Sequence, residues 1–139
     1  MSDKVVQLRP QVPESEKITI NLGYVDLGRI DLLVQEGFFS NRTDFIRTAI
    51  RNHLRSQSEE VSRSIERHRL EVGLLELGTD ELEAVRAAGE TLHVRVVGLL
   101  RIGSDVTPEL ALQTIGSLTV LGALQASREI KAALAPRIK

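Results

Sequence analysis

Residues Glu16 to Leu22 alternate between two chemistries: Lys17, Thr19 and Asn21 fall on one side, Ile18, Ile20 and Leu22 on the other. A period of two is that of a β-strand with one buried face. So short a strand, followed by only two short helical patterns, buries too little surface to offset the chain entropy lost on ordering it. The segment therefore needs a partner. Antiparallel pairing with its twin is the simplest solution, two chains sharing one ribbon while four helices form a common core. The outward set, one cation and two hydrogen-bonding side chains, has the chemistry that reads phosphates and base edges in the major groove.

Between Asp26 and Glu36, Leu27, Ile30, Leu33 and Val34 share one helical face, with Asp26 the expected N-cap after the turn Gly23-Tyr24-Val25. Tyr24, the only tyrosine, is expected to cover the end of the ribbon. Gly37 stops this helix and Phe38-Phe39 pack the corner. A second helix opens within Ser40-Asn41-Arg42-Thr43-Asp44, where Ser40 and Asn41 compete as N-cap and Asn41 with Asp44 forms a capping-box-like pair. Phe45, Ile46, Ala49, Ile50 and Leu54 then recur at helical spacing, while Arg47, Arg51 and Arg55 mark another face, read as solvated. The expected shared core is Ile18, Ile20, Leu22, Ile30, Val34, Phe45, Ile46 and Ile50.

The order strand, helix, glycine turn, then Asn41-Arg42-Thr43-Asp44-Phe45-Ile46-Arg47 with Ala49-Ile50 resembles the ribbon-helix-helix family of CopG, Arc and MetJ-like regulators over residues 16–55. The resemblance implies an intertwined homodimer whose two-stranded antiparallel ribbon enters the major groove of double-stranded DNA. It places Lys17, Thr19 and Asn21 at base edges, with Asn21 reading an adenine, and Ser40, Asn41, Arg42 and Thr43 at a phosphate. Free N–H groups and the helix dipole favour an anion there, and such contacts position a dimer without reading sequence. Relatives often lead directly into the first helix through a polar residue or proline, so Gly23-Tyr24-Val25-Asp26 implies a longer turn here.

The second half holds an internal repeat. Val72-Gly73-Leu74-Leu75-Glu76-Leu77-Gly78-Thr79-Asp80 recurs as Val97-Gly98-Leu99-Leu100-Arg101-Ile102-Gly103-Ser104-Asp105, and more weakly from Leu121-Gly122-Ala123 to Glu129. Thr79, Thr107 and Ser127 are the expected N-caps of a helix after each copy, with Pro108 at a first helical position. Strand and short helix thus alternate at a spacing of 25 and then 24 residues. Over residues 70–135 this resembles a leucine-rich-repeat-like solenoid, with stacked parallel strands and helices on one side. The glycines mark a bend, a bulge or a close approach of neighbouring backbones. Val72, Leu74, Val97, Leu99 and Leu121 make the other strand face apolar too, so both faces are expected to be buried, one of them as an interface.

The fold expected is mixed α+β. Residues 1–15, with Lys4, Arg9, Pro10 and Pro13, form a flexible arm; 16–57 form the ribbon-helix-helix DNA-binding domain; 58–69 a helical extension or hinge, with Val61 and Ile65 on one stripe; and 70–139 a small α/β repeat domain for oligomerisation or for a partner or signal. Charge follows this division. Residues 17–57 hold six Arg or Lys against four acids, whereas 70–139 hold seven against nine, so the basic half is the one expected on DNA.

Cysteine is absent, which removes disulfides and Cys-ligated metal. His53, His68 and His93 are isolated in sequence, unlike the clustered ligands of the nickel-responsive branch of the resembling family, so neither a metal nor another cofactor is expected. No nucleophile triad, phosphate loop or paired carboxylate suggests an enzyme. The chain has neither an 18-residue apolar run nor a signal-like start, which leads to the expectation of a cytoplasmic protein without a membrane partner. A sequence-specific transcriptional regulator is the leading reading. The alternative is an antitoxin, or a DNA-partition or scaffold adaptor, acting through the C-terminal half.

Overall fold

The computed structural model describes residues 15–139, so the arm expected over residues 1–15 lies, but for Ser15, outside the described residues. The chain divides into two compact units, with the boundary between Ser58 and Glu59.

In the first unit, residues 16–22 belong to no helix and no ladder, and they are followed by α1 (Tyr24–Gln35) and α2 (Arg42–Ser56). The strand expected there has no neighbour to pair with inside one chain, which is why none forms. Helix α1 starts two residues before Asp26. Its N-cap is Gly23, without a side-chain cap, and Asp26 lies in the first turn. The expected longer turn is therefore absent, and Tyr24 is exposed rather than covering anything in this chain. Gly37, at φ 87°, ends the α1 corner in a conformation that disfavours any side chain. Beyond it the Phe39 and Phe45 rings meet edge to face, 5.0 Å apart at 84°, and anchor the start of α2.

Helix α3 (Ser58–His68), separated from α2 by the break at Gln57, belongs but for Ser58 to the second unit. That unit continues with β1 (Glu71–Leu77), α4 (Thr79–Ala87), β2 (Leu92–Ile102), α5 (Pro108–Thr114), β3 (Ile115–Gln125) and α6 (Arg128–Leu134). The strands form one parallel sheet in the order β1-β2-β3. Gly73 pairs with Gly98 and Gly98 with Gly122, so the 25- and 24-residue spacings of the sequence become the register of the sheet.

One sheet face and the helices α4, α5 and α6 build the core. Leu77, Val94, Val96, Leu100, Ile102 and Leu118 pack with Leu82, Leu110, Ala111, Ile130 and Leu134. Thr107 and Ser127 cap α5 and α6 by accepting the N–H of Leu110 and Ile130 at 3.1 and 3.2 Å. The cap expected at Thr79 is displaced. Gly78 is the N-cap of α4, the Glu81 carboxylate accepts its N–H at 3.0 Å, and the buried Thr79 hydroxyl has no partner among the described residues. Arg137 Nη1 donates to the carbonyls of Leu112 and Ile115 at 2.5 and 2.7 Å, satisfying acceptors at the end of α5. The other sheet face is not buried. All three helices lie on one side, which leaves Val72, Leu74 and Leu121 exposed.

Candidate nucleic-acid interface

Lys17, Thr19 and Asn21 are exposed. The opposite side of the segment is exposed as well: Ile18 is 69% accessible and Ile20 54%. Of the residues expected in the shared core, Ile30 is buried within one chain, Val34, Phe45 and Ile46 are half-buried, and Ile50 is exposed along with Ile18, Ile20 and Leu22. These side chains do not scatter. Ile20, Leu22, Ile30, Phe45, Ile46, Ala49 and Ile50 line an open groove of about 380 Å³, with Asp26 and Arg29 at its polar margin. The groove is apolar wall without filling.

At the other candidate contact, the start of α2, Asn41 is the N-cap, accepting the N–H of Asp44 at 2.8 Å. The Asp44 carboxylate in turn accepts the N–H of Ser40 at 2.9 Å. The backbone N–H groups of Arg42 and Thr43, in the first turn where no intrahelical acceptor exists, are the donors left for an anion.

Arg42 carries a finding that sequence reasoning missed. Its Nε and Nη2 donate to the two carboxylate oxygens of Asp31 on α1, both at 2.8 Å. These hydrogen bonds hold the Asp31 carboxyl below its ordinary range and raise the guanidinium in return. A carboxylate lowered in this way keeps its partner above the usual carboxylate pKa and loses it as pH falls through the lowered value. The Arg42 side chain is thus a clip between α1 and α2, its charge paired with the Asp31 carboxylate. The separation of 11 residues across a turn has no helical or strand period. Only the presence of opposite charges on consecutive helices could have suggested it.

The model of the Ribbon-Helix-Helix transcriptional regulator family matches residues 13–131. The match extends well beyond residues 16–55, where the motif resemblance lies, and takes in the sheet unit as far as the first half of α6. No curated protein and no solved structure matches the chain. No helix among the described residues is long and apolar enough to cross a membrane. Membership implies DNA binding and dimerisation. The chain belongs to the Ribbon-Helix-Helix transcriptional regulator family.

Proposed function

We propose that the chain is a sequence-specific, DNA-binding transcriptional regulator that acts in the cytoplasm as a homodimer. Residues 16–22 of two chains pair antiparallel. Their apolar sides, Ile18, Ile20 and Leu22, fill the grooves, and their polar sides, Lys17, Thr19 and Asn21, enter the major groove of DNA. The N–H groups at the start of α2 sit on the flanking phosphates. The observation that carries this reading is the groove: it is lined by Ile20 and Leu22 themselves with Ile30, Phe45, Ile46, Ala49 and Ile50, and closing it with a second ribbon leaves the hydrogen-bonding face outward.

Selection of bound fragments from a fragmented genome tests it. The full-length protein should enrich a short inverted or tandem motif. Asn21→Ala should degrade that motif while sparing dimerisation, because a bidentate amide contact contributes about 1–3 kcal/mol of discrimination. Equal loss on every sequence would mean that the ribbon does not read bases.

The Asp31 clip gives a second expectation. Asp31→Asn removes the acid that holds the Arg42 guanidinium and frees that cation, so affinity for all DNA should rise. The slope of log affinity against log salt should steepen by about one phosphate contact. Arg42→Ala should leave the slope unchanged if the guanidinium stays on Asp31 in the complex, and lower it by about one if it moves to phosphate. Titrations at several salt concentrations separate the two. An unaltered affinity for Asp31→Asn at low salt would place the start of α2 away from the backbone.

A further inference from the structure

Parallel sheets are ordinarily covered on both faces, because their strands are apolar on both. Here α4, α5 and α6 cover one face, and the other carries two rows in register: Val72, Val97 and Leu121, then Leu74, Leu99 and Ala123. Val72 is 67% exposed, Leu74 50% and Leu121 56%. The charges that bracket the patch are engaged within the chain. At one end Arg101 Nε donates to Gln125 at 3.0 Å and Nη1 lies 3.8 Å from Glu76; at the other, Arg95 Nη1 donates to the His68 carbonyl at 3.1 Å. The centre is therefore uncharged, with nothing to recruit a nucleic acid or a partner of opposite sign.

We propose that this face packs against the same face of the twin chain, an inference that rests on the dimer described under Proposed function. Size decides the occupant. Three strands and two rows give a footprint on the order of 200 Å², against about 800 Å² per partner in a free-standing interface. A partner arriving from solution gains too little from such a patch. The twin is already held by the ribbon, at an effective concentration on the order of millimolar, where a weak apolar contact suffices. An isologous contact also sets like against like, and an uncharged apolar centre meets its own copy without electrostatic conflict. The repeat unit thereby becomes a second clasp on the DNA-binding dimer, tightening it when the two faces are closed.

The natural chain has no cysteine, so single thiols report the contact. In the full-length protein, Val97→Cys places one in the central strand of the bare face, and Ala84→Cys places a control on the exposed side of α4. Facing sheets lie about 10 Å apart, within reach of a short bismaleimide. Val97→Cys should form covalent dimers at least ~10-fold faster than the control, at a rate unchanged by dilution, as an intramolecular reaction requires. Adding Leu74→Lys should bring it down to the control rate with the circular dichroism spectrum intact. Light scattering on the same samples separates the failures. A dimer whose Val97→Cys reacts no faster than the control overturns the closed face and leaves the ribbon dimer standing. A monomer overturns the dimer reading, and this inference with it. Dilution-sensitive linkage of four chains overturns the twin as occupant.

Discussion

Gly98→Ala should unfold the sheet unit, whereas Gly73→Ala, at the equivalent place one repeat earlier, should leave it folded. Both glycines hold positive φ, 139° and 127°, where a side chain is strained. An alanine in such a region costs about 1–3 kcal/mol, and that is the whole penalty at Gly73, where a Cβ meets nothing within 4 Å. At Gly98 the added Cβ falls 2.1 Å from the Gly73 carbonyl oxygen and 3.0 Å from its carbon. The obstacle is backbone of the neighbouring strand, and a carbonyl on the register between β1 and β2 cannot swing away as a side-chain tip can. Relief requires separating two hydrogen-bonded strands, so the loss should exceed ~4 kcal/mol, in the range reserved for single changes that break a core element.

Gly122 repeats the geometry one strand further on, with its Cβ position 2.1 Å from the Gly98 oxygen, so Gly122→Ala should behave like Gly98→Ala. Only β1, which has no preceding strand, escapes. Urea unfolding of the full-length variants, with amide exchange resolved over residues 71–125, orders the three. Similar destabilisation of Gly73→Ala and Gly98→Ala would mean that the strands do not approach as closely as this register requires.

The same glycines show why part of the fold was legible in the sequence. A residue that must be glycine because of its neighbour recurs at the spacing of the neighbour, so the 25- and 24-residue intervals carried the parallel register directly. Caps were legible where the side chain had no competitor, as at Thr107 and Ser127. Thr79 failed because Glu81 reaches back to the Gly78 N–H and moves the helix start one residue earlier. Asp26 was displaced too, but without a competing side chain: the N-cap of α1 is Gly23, which has no side-chain cap. Apolar content on both strand faces could not reveal which is covered, because that depends on where the crossover helices pack, and all of them pack on one side. At the candidate interface, the exposure of Lys17, Thr19 and Asn21 does not separate the two sides of the segment, because Ile18, Ile20 and Leu22 are exposed in one chain as well. The Arg42–Asp31 pair was not legible, since it is a contact between two helices rather than a property of either. The ribbon is legible only as a need: alternation states that one side is to be buried, and within one chain that side stays exposed.

That need leads to the other large expected effect. Ile20→Glu should give a monomer that has lost DNA binding, while Thr19→Glu, one residue away, should give a dimer that has lost DNA binding alone. Ile20 is 54% exposed in a single chain and lines the groove with Leu22, Ile30, Phe45, Ile46, Ala49 and Ile50. A glutamate there is harmless to the isolated chain and is buried unpaired when the groove closes. A buried unpaired charge costs about 3–5 kcal/mol, and each dimer would contain two, so the dimer dissociation constant should rise by roughly ten-thousand-fold or more. Thr19 lies on the other side of the same segment, where glutamate stays solvated in the free dimer and meets DNA as a like charge only on binding. Sedimentation equilibrium and DNA titration of both variants separate the two sides. The far-UV spectrum of the sheet unit, whose core shares no residue with the groove, should survive in each. A dimeric Ile20→Glu beside a monomeric Thr19→Glu would reverse the faces of the ribbon, turning the side now assigned to base edges toward the core.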